Sequence, residues 1–83
     1  MQILYFAWVR EKIGTGAEEI ALPAGVRDVA GLVEHLAGRS AGHAAAFANR
    51  ASIRAAVNQD FATPATPVSA RDEVAFFPPV TGG

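Results

Sequence analysis

Cysteine is absent from this chain of 83 residues. Its absence excludes a disulfide, a thiolate nucleophile, a protein persulfide and a cysteine-ligated metal. The two histidines, His35 and His43, have no pair of carboxylates near them in the sequence, so we expect no metal site and treat both as surface or internally bonded residues. No serine is flanked by glycine, and no complete phosphate-binding loop is present. The sequence therefore predicts no catalytic site within this chain.

An excess of charge of one sign and a long apolar run are also missing. Seven Lys and Arg residues stand against eight Asp and Glu residues, which gives a formal net charge of −1 without a basic cluster. We therefore expect no nucleic-acid partner. No run approaches the roughly 20 apolar residues of a membrane span, and the N-terminus lacks the basic region of a signal peptide. We expect a soluble, cytoplasmic protein with no membrane partner.

Hydrophobic residues make up 51% of the chain, which is enough for one packed domain. At this length we expect little room for a deep pocket. Alternating apolar residues predict strands, and helical spacing after Asp28, a good N-cap, predicts a helix. The expected elements are strand 2–8, a helical turn at 9–13, strand 18–22, helix 28–38, a short helix within 40–49, strand 53–58, an edge or loop to about 70, and strand 73–77. This order is of the α+β class.

The residues after the last strand read PPVTGG and occupy positions 78–83. Two prolines cannot extend a sheet, so we expect a domain over 1–77 and a flexible tail over 78–83. Six extended residues reach about 20 Å, far enough to enter the active site of a partner. Glycines leave the backbone around the Gly83 carboxylate unobstructed, which favours this carboxylate as the working group. The residues expected to thread the partner's site are Val80, Thr81 and Gly82.

The segment DEVAFFPPVTGG, at 72–83, resembles the C-terminal signature of the small subunit of molybdopterin synthase, a ubiquitin-like sulfur carrier family. The resemblance extends to FA and VRE at 6–7 and 9–11, to the helix after Asp28, and to AAVNQ at 55–59. The resemblance covers most of the chain, and residues 40–52 contribute least to it. The chain departs from the family at Ala70-Arg71, where Asp-Gly is frequent, and at Asp60-Phe61.

This resemblance implies a β-grasp (ubiquitin-like) fold, a mixed sheet with its first and last strands parallel and central and one long helix packed on one face. It also implies that an adenylating enzyme activates Gly83 with ATP and that a sulfur donor system converts it to a thiocarboxylate. The tail then delivers sulfur to cyclic pyranopterin monophosphate in the large subunit, forming the molybdopterin dithiolene. The chain would be a non-catalytic, sulfur-donating subunit of a heterotetramer and would bind no cofactor itself.

A partner-binding surface is expected on the sheet face that the helix leaves open. Alternation along the strands sends Phe6 and Phe77 to this face, and Phe61 can join them. On pattern alone the same residues also fit an ordinary core. Aromatic residues exposed together mark an interface, and the resemblance implies that these residues bind both the large subunit and the adenylating enzyme. Arg10 is expected to add an ion pair at the rim.

Two other functions fit part of the same pattern. A Gly-Gly end also suits a sulfur carrier for thiamine or another thio-cofactor, which would bind a thiazole synthase. A ubiquitin-like protein modifier, or a binding module that uses only its aromatic residues, is a further alternative. The identity of the bound partner distinguishes the two carriers, and isopeptide-linked Gly83 would identify a modifier.

Overall fold

Five strands form one mixed sheet in the computed structural model of this chain, which describes residues 1–79. The strands lie in the order β2-β1-β5-β3-β4, and β1 and β5 run parallel at the centre while the other neighbours are antiparallel. The elements are β1 (Gln2–Tyr5), α1 (Ala7–Ile13), β2 (Ala17–Glu19), α2 (Val29–Ala37), α3 (Ala41–Ala46), a 3₁₀ turn (Arg50–Ser52), β3 (Arg54–Val57), β4 (Asp60–Ala62) and β5 (Glu73–Phe77). This arrangement confirms the predicted α+β class and the β-grasp strand order.

The core lies between one face of the sheet and the helices. Its sheet side consists of the alternate residues of the two central strands, and α2 contributes a buried stripe. The fully or almost fully buried residues from these three elements are Ile3, Tyr5, Val29, Leu32, Leu36, Val74 and Phe76. Helix α2 is the longest helix, but α1 and α3 also contribute buried residues to this layer. The predicted long helix is α2, and the predicted helical turn and short helix correspond to α1 and α3, which pack on the same core.

Helix α2 begins where the sequence predicts. The Asp28 carboxylate accepts a hydrogen bond of 2.8 Å from the backbone N–H of Gly31, which satisfies one of the free donors of the first turn. The helix ends at Ala37, next to Gly38. Residues next to the helix, Asp28 at its start and Gly38 at its end, indicated both boundaries in the sequence. The structure confirms the predicted helix.

The predicted strand over 2–8 is wrong at its C-terminal end. The strand ends at Tyr5, and Ala7 takes a left-handed conformation with φ of 53°, which turns the chain into α1. A residue with a Cβ adopts this conformation at a cost of about 1–2 kcal/mol. The turn buries Val9 and packs Trp8 against the core, and this packing was not visible in the local alternation.

Two further strand predictions need correction. The second strand spans Ala17–Glu19 and not 18–22, because only these three residues pair with β1. The chain after 58 forms the additional strand β4, which pairs with β3 through a two-residue turn at Asn58 and Gln59. Both turn residues have positive φ, 50° and 72°, as a type I′ hairpin requires.

Candidate functional site

The parallel pairing of β1 and β5 places the ends of these strands side by side. Tyr5 stands opposite Phe76 in the register, and the Phe6 N–H donates a hydrogen bond of 3.1 Å to the Phe76 carbonyl. Phe6 is therefore adjacent to the end of β5, and Pro78 and Pro79 follow at that point.

Three phenylalanines lie on the open face of the sheet, and we call this set the aromatic face: Phe6, Phe61 and Phe77. Phe6 is 49% exposed and Phe61 is 85% exposed. The ring centroids of Phe61 and Phe77 are 6.1 Å apart, within the range of favourable aromatic contact. The structure thus places Phe61 and Phe77 in contact and Phe6 on the neighbouring strand end.

Small side chains keep the aromatic face open. In the register, Ala56 stands opposite Phe61 on one side and Ala75 on the other. Neither alanine can cover the neighbouring rings. The aromatic face is therefore an exposed apolar surface next to the end of β5, as expected for a docking surface.

Arg10 lies on α1 and is exposed to solvent. Its guanidinium group extends over Gly16, where an added Cβ would lie 3.2 Å from Nε. Within residues 1–79 it forms no ion pair. Its side chain is free to meet a carboxylate of a partner, and that ion pair stays a prediction.

The other predicted site residues, Val80, Thr81, Gly82 and Gly83, lie outside the described residues. The predicted boundary between domain and tail at 77/78 likewise stays a prediction. Within residues 1–79, no group of three or more metal-ligating side chains is placed to hold an ion. In the same part of the chain, no helix is long and apolar enough to cross a membrane.

A partly buried polar network behind the sheet was not predicted. The Glu18 carboxylate accepts a hydrogen bond of 2.7 Å from the Tyr5 hydroxyl, and its Oε2 lies 2.7 Å from His43 Nε2. The other ring nitrogen of His43 lies 2.7 Å from Ser40 Oγ, and Arg39 donates to Glu18 Oε1 at 3.3 Å. The network joins β1, β2 and α3 on the helix side of the sheet, away from the aromatic face.

These contacts change the acidity of two groups. Burial alone would raise the pKa of Glu18, but hydrogen bonds from His43 and Tyr5, with the electrostatic effect of Arg39, lower it below its usual value. The pKa of the Tyr5 hydroxyl is raised, first by burial and then by its bond to the carboxylate. His43 is an internally bonded histidine, one of the two environments predicted for it. Its partner is 25 residues away in the chain, so no local signal could identify it.

A second polar cluster fixes the start of β5. The Asp72 carboxylate accepts hydrogen bonds from the Asn58 side chain at 2.9 Å and from the Ser69 N–H at 2.7 Å. Asn58 in turn accepts from the Glu73 N–H at 3.0 Å. The bond from Asn58 and then the bond from Ser69 lower the pKa of Asp72. The turn between β3 and β4 is therefore hydrogen-bonded to the start of β5, the strand that ends in Phe77.

Comparison with known proteins shows similarity over nearly the whole chain. The model of the ThiS family matches residues 3–83. The molybdopterin synthase sulfur carrier subunit of Escherichia coli is 45% identical over 83 residues, with 100% of this chain and 99% of the relative covered.

Two solved structures have the same fold. A Pyrococcus furiosus protein assigned as molybdopterin converting factor, subunit 1, has a TM-score of 0.78 and 32% identity, with 95% of each chain covered. Small archaeal modifier protein 1 of H. volcanii has a TM-score of 0.75 and 26% identity, with 96% of this chain and 97% of that chain covered.

Proposed function

Because the chain belongs to the ThiS family, we propose that it is the sulfur carrier subunit of a molybdopterin synthase. One observation carries the proposal, the full-length similarity to the E. coli sulfur carrier subunit. Within the family this similarity favours molybdopterin over other thio-cofactors as the product. The geometry of the aromatic face and of the end of β5 agrees with this function.

In this proposal the Gly83 carboxylate passes through two chemical steps on partner enzymes. A carboxylate oxygen attacks the α-phosphate of ATP on the adenylating enzyme, pyrophosphate leaves, and an acyl-adenylate forms. Sulfur from a donor system displaces AMP and leaves a thiocarboxylate. In the large subunit the thiocarboxylate sulfur bonds to a carbon of cyclic pyranopterin monophosphate. Water then hydrolyses the resulting thioester, which leaves the sulfur on the pterin and returns Gly83 to a carboxylate, so two loaded carriers complete one dithiolene.

The aromatic face supports this role because it adjoins the end of β5. A partner that covers Phe61 and Phe77 is thereby positioned at the start of the segment 78–83. Interface energy is concentrated in a few buried aromatic residues, and such residues form this face. We propose that the large subunit and the adenylating enzyme bind here in turn, that the complete synthase is a heterotetramer, and that the protein acts in the cytoplasm, where ATP is available.

The test uses the full-length chain expressed with the large subunit, the adenylating enzyme and a sulfur donor. Intact-mass spectrometry should find a fraction of the chain in which one terminal oxygen is replaced by sulfur. A variant that lacks Gly83 should keep its fold, since the deletion lies beyond the sheet, and should lose both the mass change and molybdopterin formation. Full molybdopterin formation by this variant would overturn the proposal.

A protein modifier is the second candidate, and the structural similarity to small archaeal modifier protein 1 favours it. It predicts that Gly83 is found in isopeptide bonds to lysines of other proteins. A search for such bonds in cells that express the tagged chain distinguishes the two functions. Binding to a thiazole synthase in the same cells would instead indicate a carrier for thiamine.

A further inference from the structure

A cationic side chain, Arg54 of β3, borders the aromatic face. In the register Arg54 stands opposite Phe77, and Ala56, two residues further along β3, stands opposite Phe61. Side chains two residues apart on a strand share a face of the sheet, so Arg54 lies on the open face with Ala56. It is exposed to solvent, and its strand lies between β4 and β5. A partner that covers the contact between Phe61 and Phe77 therefore reaches Arg54 as well.

The backbone holds the Arg54 guanidinium but leaves donors for a ligand. Its Nη1 donates to the carbonyl of Ala51 at 2.9 Å and to the carbonyl of Ile53 at 3.2 Å. An arginine has five N–H donors, so those on Nη2 and Nε stay available. These two neighbouring nitrogens form a planar fork that binds both oxygens of one carboxylate.

Arg54 has no counter-ion among the described residues. None of the ion pairs within residues 1–79 includes it. On the open face the acidic residues lie at the other end of the sheet, where Glu19 and Glu73 stand on either side of Gln2. Glu73 comes four residues before Phe77 on β5, a separation of about 13 Å along the strand. The carboxylate that fits the fork must therefore come from a partner.

Burial of the aromatic face by a partner also removes water from Arg54. A guanidinium that loses its water and gains no counter-ion opposes binding. The same contact favours binding when the partner supplies a carboxylate, because hydrogen bonds between ionised groups are stronger than those between neutral groups. The phenylalanines fit any apolar pocket of suitable shape, whereas the guanidinium distinguishes such pockets by their charge.

We propose that Arg54 makes binding at the aromatic face specific, by pairing with a carboxylate that the partner holds beside its pocket for Phe61 and Phe77. This inference rests on the proposed function, so the partner is the large subunit of the synthase. It adds a chemical requirement, an Asp or Glu of the large subunit within hydrogen-bond distance of the guanidinium. A basic or wholly apolar surface at the same place is rejected.

The first experiment is calorimetric titration of the full-length chain with the large subunit. Arg54→Gln should raise the dissociation constant about thirtyfold, because the partner's carboxylate is left buried and unpaired, and Arg54→Glu should raise it further. Arg27→Gln is the matched control, since Arg27 is an exposed arginine in the loop before α2 and outside the sheet. The control should change the dissociation constant by no more than about twofold. Urea denaturation should show that all three variants are as stable as the unmodified chain.

A zero-length cross-link then identifies the carboxylate. Arg54→Lys puts an amine at this position, and a carbodiimide joins an amine to a carboxylate that it contacts. The background should be low, because Lys12 is the only lysine of the chain and the buried Met1 amine donates to the Ile20 carbonyl at 2.9 Å. Peptide mass spectrometry should find position 54 joined to an Asp or Glu of the large subunit.

The outcomes separate this inference from the proposed function. If the unmodified chain binds the large subunit and Arg54→Gln binds equally well, Arg54 does not select the partner and the proposed function is unaffected. A complex of the Arg54→Lys chain without a cross-link at position 54 would have the same meaning. If the large subunit does not bind the unmodified chain, the proposed function is wrong and the role of Arg54 is wrong with it.

Discussion

Phe61 is the residue at which binding and stability can be separated most clearly. It is 85% exposed, whereas Phe76 on β5 is fully buried. We expect Phe61→Ala to change the free energy of unfolding by no more than about 0.5 kcal/mol, as is usual for a surface site. The same substitution should weaken binding to the large subunit by about 2 kcal/mol or roughly thirtyfold, the effect of losing an aromatic anchor.

The measurements are urea denaturation and calorimetric titration with the large subunit. Phe76→Ala is the opposite control, since removing this core ring should cost about 3–5 kcal/mol of folding stability. Unchanged binding by Phe61→Ala, in a protein of unchanged stability, would show that Phe61 lies outside the interface.

At the scale of elements, helices α1 and α3 approach each other closely at Gly42. A Cβ at Gly42 of α3 would collide with the Lys12 carbonyl oxygen of α1 and approach Ile13. There is no room for a Cβ at position 42, so only glycine fits there without a shift of the helices. We expect Gly42→Ala to push the helices apart and to lower the free energy of unfolding by about 1–3 kcal/mol, as overpacking does.

Gly38 provides the matched comparison for this prediction. A Cβ at Gly38 would make only an ordinary contact, 3.6 Å from the His35 carbonyl oxygen. Gly38→Ala should therefore leave stability unchanged or raise it by about 0.4–1 kcal/mol, because it restricts the unfolded chain. Urea denaturation of both variants checks the pair, and equal effects would contradict the close packing of α3 on α1.

Elements determined by neighbouring residues in the sequence were predictable. Elements determined by contacts with residues far away in the sequence were not. The Asp28 cap and the apolar spacing of α2 depend on residues that are close in the sequence. Alternation placed Phe6 and Phe77 on one face only after the family resemblance had set the first and last strands side by side. The end of β1 was missed because the turn at Ala7 depends on burying Val9. The strand β4 was missed because three residues that include exposed Phe61 carry too little pattern, and only pairing with β3 defines them.

The stability of the whole molecule should depend on pH through Glu18. The pKa of Glu18 is lower in the folded chain than its unfolded value of about 4.3. The ionised group therefore stabilises the fold fully above about pH 4.3, and this contribution is lost as the pH falls through the folded-state pKa. The stability difference between the unmodified chain and Glu18→Gln should be largest near neutral pH and should shrink towards about pH 3.

Urea denaturation at a series of pH values measures this difference. Glu19→Gln is a suitable control, because Glu19 is the next residue on the same strand, is exposed, and takes no part in the contacts of Glu18 with Tyr5 and His43. Its stability difference from the unmodified chain should stay nearly constant with pH. A constant difference for Glu18→Gln as well would show that the carboxylate charge does not stabilise the fold.

The central parallel pair of strands has a consequence for synthesis of the protein. It joins β1, which is made first, to β5, which is made last. During translation, the sheet cannot close until Glu73–Phe77 has left the ribosome, because β5 joins β1 to β3. A partner that recognises the aromatic face can therefore meet only chains in which β5 has been made and paired with β1, because this pairing sets Phe77 beside Phe6. Interrupted translation products would lack this surface.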